Sequence, residues 1–425
     1  MSELVEVSLK ELIFSLSNLI DHAITLLMDH HRRTTIVALH LSRQLNLPKQ
    51  EQHDLIFSAA IHDIGAFSIV EQQALTDMRF EYERINHHAR AAYLLFNEIP
   101  YLQHIASILR YHHAYLNLIT EQERALIPYE AFILQVADYV AVLSEKDRNI
   151  LNSAPAIVAE VQKQSGVLLL PEVVDAFKQA ALKESFWLDI INMSLSSLFE
   201  KHVQLNCMSI RNEEIMNLAH LFRRIIDFRS EFTSTHTAGV ASVAGKLAEL
   251  YGREGEAIRK VYLAGYLHDI GKLTIPNEIL EKKEKLSPEE INIIRGHTYY
   301  TGMFLDDFEL FAEIRDWASQ HHEKISGKGY PFHKKEAELS IESRMVTAAD
   351  VFTALTEERP YRQGMSTRAA LQIMESAVKK DELDGSLVAL IKTHQDEINR
   401  VRITAQQVSK REYDKFITEL NAEGF

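Results

Sequence analysis

The chain is short of the residues that staple or anchor unusual folds. A single cysteine, Cys207, in 425 residues excludes an intramolecular disulfide framework and thiolate zinc clusters, and it fits a reducing compartment. As a lone thiol it reads as a small buried hydrophobe. Nine prolines and fifteen glycines leave few points at which regular structure must stop. No apolar stretch reaches the ~18 residues that cross a bilayer. Met1 to Lys10 lacks a basic start followed by an apolar run, so neither a membrane span nor a secretory leader is expected. Basic residues are also in deficit, 46 Lys and Arg against 60 Asp and Glu, for a formal charge of −14. General affinity for DNA, RNA or an anionic membrane is therefore disfavoured, and any anionic ligand needs a local positive site. A cytoplasmic protein is expected.

What is present is helical periodicity in almost every segment, with no sustained alternation of the kind that marks strands. The expected fold class is all-α. Ser287-Pro288-Glu289-Glu290 has the form of a helix start, with Ser287 as cap, Pro288 at the first helical position and Glu290 completing a capping box. Gly252 and Gly255 bracket a turn, and Asn277 after Pro276 reads as a further break.

The chain also repeats itself. His62-Asp63-Ile64-Gly65 matches His268-Asp269-Ile270-Gly271, each after an apolar helical stretch, Leu55 to Ile61 and Val261 to Leu267. His30 precedes His62 by 32 residues, as His236 precedes His268. After each doublet come a histidine (His88 by 26, His297 by 29), a histidine pair (His112-His113 by 50, His321-His322 by 53) and an aspartate (Asp138 by 76, Asp350 by 82). Register alone favours His30 over His31 and His88 over His87. Two tandem helical domains are expected, residues 1–205 and 206–425, separated near residues 200–212 at the polar run Asn206 to Glu214. The copies differ where chemistry is expected. In the first, Ala66 replaces Lys272, His112-His113 continues as Ala114-Tyr115-Leu116 without a glycine loop, and no Arg-Pro-Tyr-Arg run follows Asp138. Metal ligands can survive there, but substrate machinery cannot.

In the second copy, neutral imidazoles together with a carboxylate that bridges two ions form the donor set for a metal pair whose shared water ionises near neutral pH. Asp269 is the natural bridge beside His268, since consecutive residues at a helix end diverge by about 100° and can both reach one site. His236 and Asp350 complete the first ion, and His297, His321 and His322 the second. Ligation by nitrogen and oxygen alone suits iron, with manganese the alternative. Lys272, three residues past Asp269, places an ammonium beside the metals, where it stabilises or protonates a leaving oxygen. Gly327 and Gly329 directly beyond the histidine pair allow close approach of backbone and substrate, and Pro331 fixes the exit of their loop. Arg359 and Arg362 flank Pro360 past the helix of Asp350 and suit bidentate contact with phosphates.

These residues resemble the HD-GYP family, a branch of the HD phosphohydrolases whose members are bacterial cyclic-dinucleotide phosphodiesterases. The resemblance covers roughly Asn212 to Arg400, through His268-Asp269 with Gly271-Lys272, Gly329-Tyr330-Pro331, and Asp350 followed by Arg359-Pro360-Tyr361-Arg362. It implies a helical bundle holding two divalent ions, often iron, on the seven ligands His236, His268, Asp269, His297, His321, His322 and Asp350. Asp269 and Lys272 are then the catalytic pair, with Gly329, Tyr330, Pro331, Arg359 and Arg362 toward the substrate. The first half is similar to a degenerate copy, and the tandem arrangement to proteins that cleave cyclic di-GMP, 3′3′-cyclic GMP-AMP or both. The first half is expected to be regulatory or structural, with a second copy or a signalling partner as its contact.

Where members with a third metal carry Glu, four residues before the first histidine, this chain has Phe232 with Glu231 one residue off, so two ions are expected. Thr301 and Thr353 stand where many members have Gly and Asp, a change to the pocket that puts substrate preference, not reaction class, in doubt. The reading from another class is a non-catalytic nucleotide sensor, opposed by the intact Lys272 and Gly329-Tyr330-Pro331. An HD hydrolase of mononucleotides is opposed by the glycine loop and the arginine run.

Overall fold

The structure, a computed structural model, describes residues 4–8, 11, 16–17, 29–66, 82–144, 149–201, 207–211, 217, 220–225, 231–280, 282, 284–306, 308, 311–358 and 363–422. Their regular structure is helical apart from the strands Leu4–Ser8 and Cys207–Arg211, which pair into a two-stranded sheet. The fold is all-α with that one addition. The second strand lies inside the run Asn206 to Glu214 that the sequence presents as a polar separator. Five residues give too short an alternation to stand out. The side chain of Cys207 lies outside the described residues. Among the described residues no helix is long and apolar enough to cross a membrane.

The chain divides into two compact units, Glu6–Ser209, and Ile210–Phe425 with Met1–Val5. In the first, the helix His30–Gln44 packs against Lys49–Ile61 and Tyr129–Leu143, and Tyr82–Phe96 against Gln103–Tyr111. The helices Pro171–Ala180 and Glu184–Asn192 pack on His30–Gln44 around the edge-to-face cluster of Phe177, Phe186 and Trp187. The buried Trp187 ring also places its N–H on the Ala181 carbonyl at 2.9 Å, so none of its polar capacity is wasted. Arg32 donates to the carbonyls of Ile190 and Met193 at 3.0 and 2.9 Å. These are carbonyls that a helix C-terminus leaves without an internal partner.

In the second unit the helix Glu231–Leu250 is the centre, packed on Gly255–Leu267, Ile341–Thr356 and Gln395–Asn421. The capping box at Ser287 forms: Glu290 N–H donates to Ser287 Oγ at 3.3 Å, and Ser287 N–H to Glu290 Oε2 at 2.7 Å. It starts the helix Pro288–Asp306, which packs on the short turn Ile270–Thr274 and on Ala312–Ser319. Gly252 and Gly255 take positive φ, +93° and +49°, in the turn between two helices. Pro276 is followed by a short helix, Asn277–Leu280, and not by a break, because Pro just before a first turn presets the helical φ.

Candidate metal centre

Five elements converge on one buried point of the second unit. His236 comes from Glu231–Leu250, His268 caps Gly255–Leu267, His297 lies within Pro288–Asp306, His321 and His322 follow Ala312–Ser319, and Asp350 belongs to Ile341–Thr356. Donor atoms of His236, His268 and Asp350 lie within 4.8 Å of one another, as do those of His297, His321 and His322; a third such group, His268, Asp269 and His321, links the two. Asp269 faces both sides. Its Oδ2 is 3.1 Å from His268 Nε2 and 3.9 Å from His236 Nε2, while its Oδ1 is 3.5 Å from His297 Nε2 and 3.9 Å from His321 Nε2.

The histidine hydrogen bonds fit a cation here. Nδ1 of His268, His297 and His321 bonds the carbonyl three residues earlier, of Gly265, Ile294 and Ala318, at 2.7, 2.5 and 2.6 Å. A carbonyl only accepts, so each Nδ1 carries the proton, and His297 and His321, kept neutral by burial, have a bare Nε2 lone pair. Nε2 of His297 and of His321 nonetheless face each other at 3.2 Å, where two lone pairs repel unless an ion lies between. Asp269 Oδ1 is buried with no hydrogen-bond partner. This is the orienting arrangement that metal-bound histidines show.

Burial pushes the pKa of His297 and His322 down to about 3, keeping both neutral. Burial would raise the Asp269 carboxyl, but His268 and Lys272 outweigh it and hold it well below the usual range. Neutral His297, His321 and His322 beside the ionised Asp269 and Asp350 fit divalent cations. Lys272 Nζ donates to Asp269 Oδ2 at 2.6 Å. The segment is a 3-10 turn, in which residues three apart eclipse.

One residue of the site has no counterpart in the sequence pattern. His236 Nδ1 donates to the buried Glu357 carboxylate, 3.0 and 3.1 Å from its two oxygens, while His236 Nε2 lies 3.1 Å from Asp350. Burial opposes charge on this ring, but Glu357 and Asp350 outweigh it and raise its pKa to about 10. Glu357 follows Asp350 by seven residues, two helical turns, and that spacing is the signal that could have found it. Glu357→Gln is expected to weaken metal retention by roughly 10- to 100-fold. Metal content after dialysis against graded chelator tests this, and retention equal to the parent's would contradict it.

The glycine loop is held by a second such residue, Glu323, which is 2 % exposed. Its carboxylate accepts from Phe332 N–H at 2.6 Å and Lys334 N–H at 3.1 Å. The first copy has Ala114 there and no loop. A Cβ on Gly329 would lie 2.4 Å from Glu323 Cα and from Lys324 N, so this glycine serves the loop's own close approach. Tyr330 and Pro331 are joined by a cis peptide. The Tyr330 ring sits 4.9 Å from that of His322 and 5.1 Å from the Arg295 guanidinium, a cation–π contact that the motif did not announce. Glu323→Ala removes two charge-assisted bonds from the loop and is expected to raise KM more than it lowers kcat. Steady-state kinetics with an unchanged KM would count against that role.

Arg359, Pro360, Tyr361 and Arg362 lie outside the described residues, as do the side chains of Glu231 and Phe232. Thr301 and Thr353 are both fully buried in helix packing. Thr301 Oγ1 donates to the His268 carbonyl at 2.8 Å and accepts from Gly271 N–H at 3.1 Å, pinning the turn that carries the ligands. The Thr353 methyl lies over Gly239 and leaves no room for a Cβ there.

The first unit gathers the matching residues. His30 Nε2 is 3.0 Å from Asp138 Oδ1, and His62 Nε2 is 3.3 Å from Asp63 Oδ2. His88 Nε2 is 3.4 Å from Asp63 Oδ1 and 3.2 Å from Nε2 of both His112 and His113. His30 therefore takes the place of His236, and His88, not His87, that of His297. His31 joins them as well, 3.4 Å from Asp63 Oδ2.

The family model described as HD domain matches residues 15–172 and again 220–387. The chain is 28% identical over 401 residues to 3′3′-cGAMP-specific phosphodiesterase 1 of Vibrio cholerae serotype O1, across 91% of each chain. It is 36% identical over 145 residues to a cyclic di-GMP phosphodiesterase of Pseudomonas aeruginosa, across 34% of this chain and 35% of that one. Among solved structures it is similar in fold to the cyclic GMP-AMP specific phosphodiesterase V-cGAP3 of V. cholerae. That likeness has a TM-score of 0.64 and 23% identity and covers 92% of this chain and 98% of that one.

Proposed function

The chain belongs to the HD domain family, and from that membership and the second unit's geometry we propose that it is a metal-dependent phosphodiesterase. It opens a bacterial cyclic dinucleotide, 3′3′-cyclic GMP-AMP or cyclic di-GMP, to the linear dinucleotide. The observation that carries this reading is the pair of donor groups joined through Asp269, with Lys272 and the Tyr330 loop beside them. His236, His268 and Asp350 hold one ion and His297, His321 and His322 the other, with Asp269 between. Two divalent ions, iron or manganese, supply charge neutralisation at phosphorus and a water acidic enough to ionise near neutral pH.

The chain's own residues do the rest. Lys272, held on Asp269 at 2.6 Å, brings an ammonium to the charge that develops on the leaving oxygen. Tyr330, packed on His322, closes one side of the pocket with the glycine loop behind it. Arg359 and Arg362 bind the phosphates bidentately. The single cysteine and the substrate class support a cytoplasmic setting. The first unit lacks the lysine, the loop and the arginines, so its role is regulatory or structural.

The test is an anaerobic assay with Fe(II) or Mn(II), offering cyclic GMP-AMP, cyclic di-GMP and cyclic di-AMP side by side. Linear product from one of the first two is the expected result. Tight binding with no product from any of them would favour a sensor.

A further inference from the structure

We propose that the first unit holds a second binuclear metal centre, in which His31 supplies a donor that the second unit lacks. Its ligand is a pair of divalent transition ions on six imidazoles and two carboxylates. No phosphate ester is expected there.

Two groups of donors recur in this unit: His30, His62 and Asp63, and His88, His112 and His113, each within 4.8 Å. Asp63 lies between them, with Oδ2 3.3 Å from His62 Nε2 and 3.8 Å from His30 Nε2, and Oδ1 3.4 Å from His88 Nε2. Asp138 closes the first group, 3.0 and 3.5 Å from His30 and His62 Nε2.

Nδ1 of His62 and of His112 bonds the carbonyls of Ala59 and Leu109 at 3.0 and 2.7 Å, so neither Nε2 carries a proton. Yet His62 Nε2 faces His30 Nε2 at 3.3 Å, and His112 Nε2 faces His88 Nε2 at 3.2 Å. His88 Nε2 is equally close to His113 Nε2, at 3.2 Å, and one proton on His88 cannot satisfy both neighbours. Four imidazoles within 3.8 Å of one buried carboxylate, with His112 and His113 against His88, have the form of a nitrogen-and-oxygen cation cage.

The difference between the units identifies its kind. In the second, Asp269 Oδ2 is met by Lys272 Nζ, and Thr237 follows His236. In the first, Lys272 is replaced by Ala66, Thr237 by His31, and it is His31 Nε2 that meets the corresponding oxygen, Asp63 Oδ2, at 3.4 Å. A residue that compensates charge has given way to one that ligates. The first unit thus has one donor more than the second, and one position fewer for water or substrate. His31 and His62 are fully buried.

The experiment counts metal. The full chain is stripped with chelator, reloaded anaerobically with Mn(II), freed of excess metal by gel filtration and analysed by elemental mass spectrometry. The parent is expected to retain about four ions, two per unit. A variant carrying Asp269→Ala, His322→Ala and Asp350→Ala should retain about two and melt at a higher temperature with Mn(II) than without. A parent that retains about two ions, or a folded triple variant that retains none, would overturn the proposal. Should the triple variant fail to fold, the parent count alone decides. Hydrolysis is not needed for either readout, so failure of the phosphodiesterase reading would leave this result intact.

Discussion

Asp269→Ala is expected to lower cyclic dinucleotide turnover by at least about 10³-fold, roughly 4 kcal/mol of barrier, and to empty the second unit of metal. The side chain offers one oxygen to each donor group, so its loss unlinks both positions at once. It also leaves Lys272 without its partner at 2.6 Å. The helices should survive, because the residue contributes no apolar volume to the core. Turnover and metal content measured together test this, with circular dichroism as the control for folding. Full activity in an Asp269→Ala protein free of metal would sink the mechanism.

Gly271→Ala should be nearly as damaging by a different route. A Cβ at this position would lie 1.9 Å from the His297 carbonyl oxygen and 2.6 Å from Thr301 N, so the helix that carries His297 must withdraw. Overpacking of this severity costs about 3 kcal/mol or more, a fall of roughly 6–12 °C in Tm for a unit of this size. A misplacement of about 1 Å at a catalytic group can cost ~10²-fold in rate. Gly65→Ala is the matched control: its Cβ would meet the His88 carbonyl oxygen at 2.1 Å and Ala92 N at 2.8 Å. It should destabilise comparably, with a smaller loss of turnover per folded chain. Equal turnover in the parent and Gly271→Ala would show that this contact does not position His297.

The cluster of candidate donors is legible in the sequence because metal chemistry demands particular residue types and the fold fixes their order. Duplication then separated signal from chance, since His62-Asp63 and His268-Asp269 each close an apolar helix and each is followed by the same series of histidines. The glycine two residues after each doublet carries a packing constraint in the same letters, visible only once Gly65 and Gly271 are seen beneath the carbonyls of His88 and His297.

What escaped is of another kind. Glu357 and Glu323 act on a histidine ring and on loop N–H groups, and nothing in a lone glutamate marks such a task. His31 was set aside by register, which chooses one residue per position, whereas a folded site can use both. The strands Leu4–Ser8 and Cys207–Arg211 depend on pairing between segments some 200 residues apart, a relation that local periodicity does not encode. Thr301 looked like a change to the pocket because its hydrogen bonds to His268 and Gly271 run through the backbone.

The division of labour between the units is tested most directly by one comparison in the full chain: turnover and metal stoichiometry of a His62→Ala, Asp63→Ala variant against the parent. A first unit that regulates or supports the second acts through differential contacts in two states, typically about 1–3 kcal/mol, or roughly 5- to 150-fold. The variant should therefore keep both metals of the second unit and retain turnover within that range. Complete loss of turnover with both of those metals still bound would place the first unit in the chemistry and contradict the account.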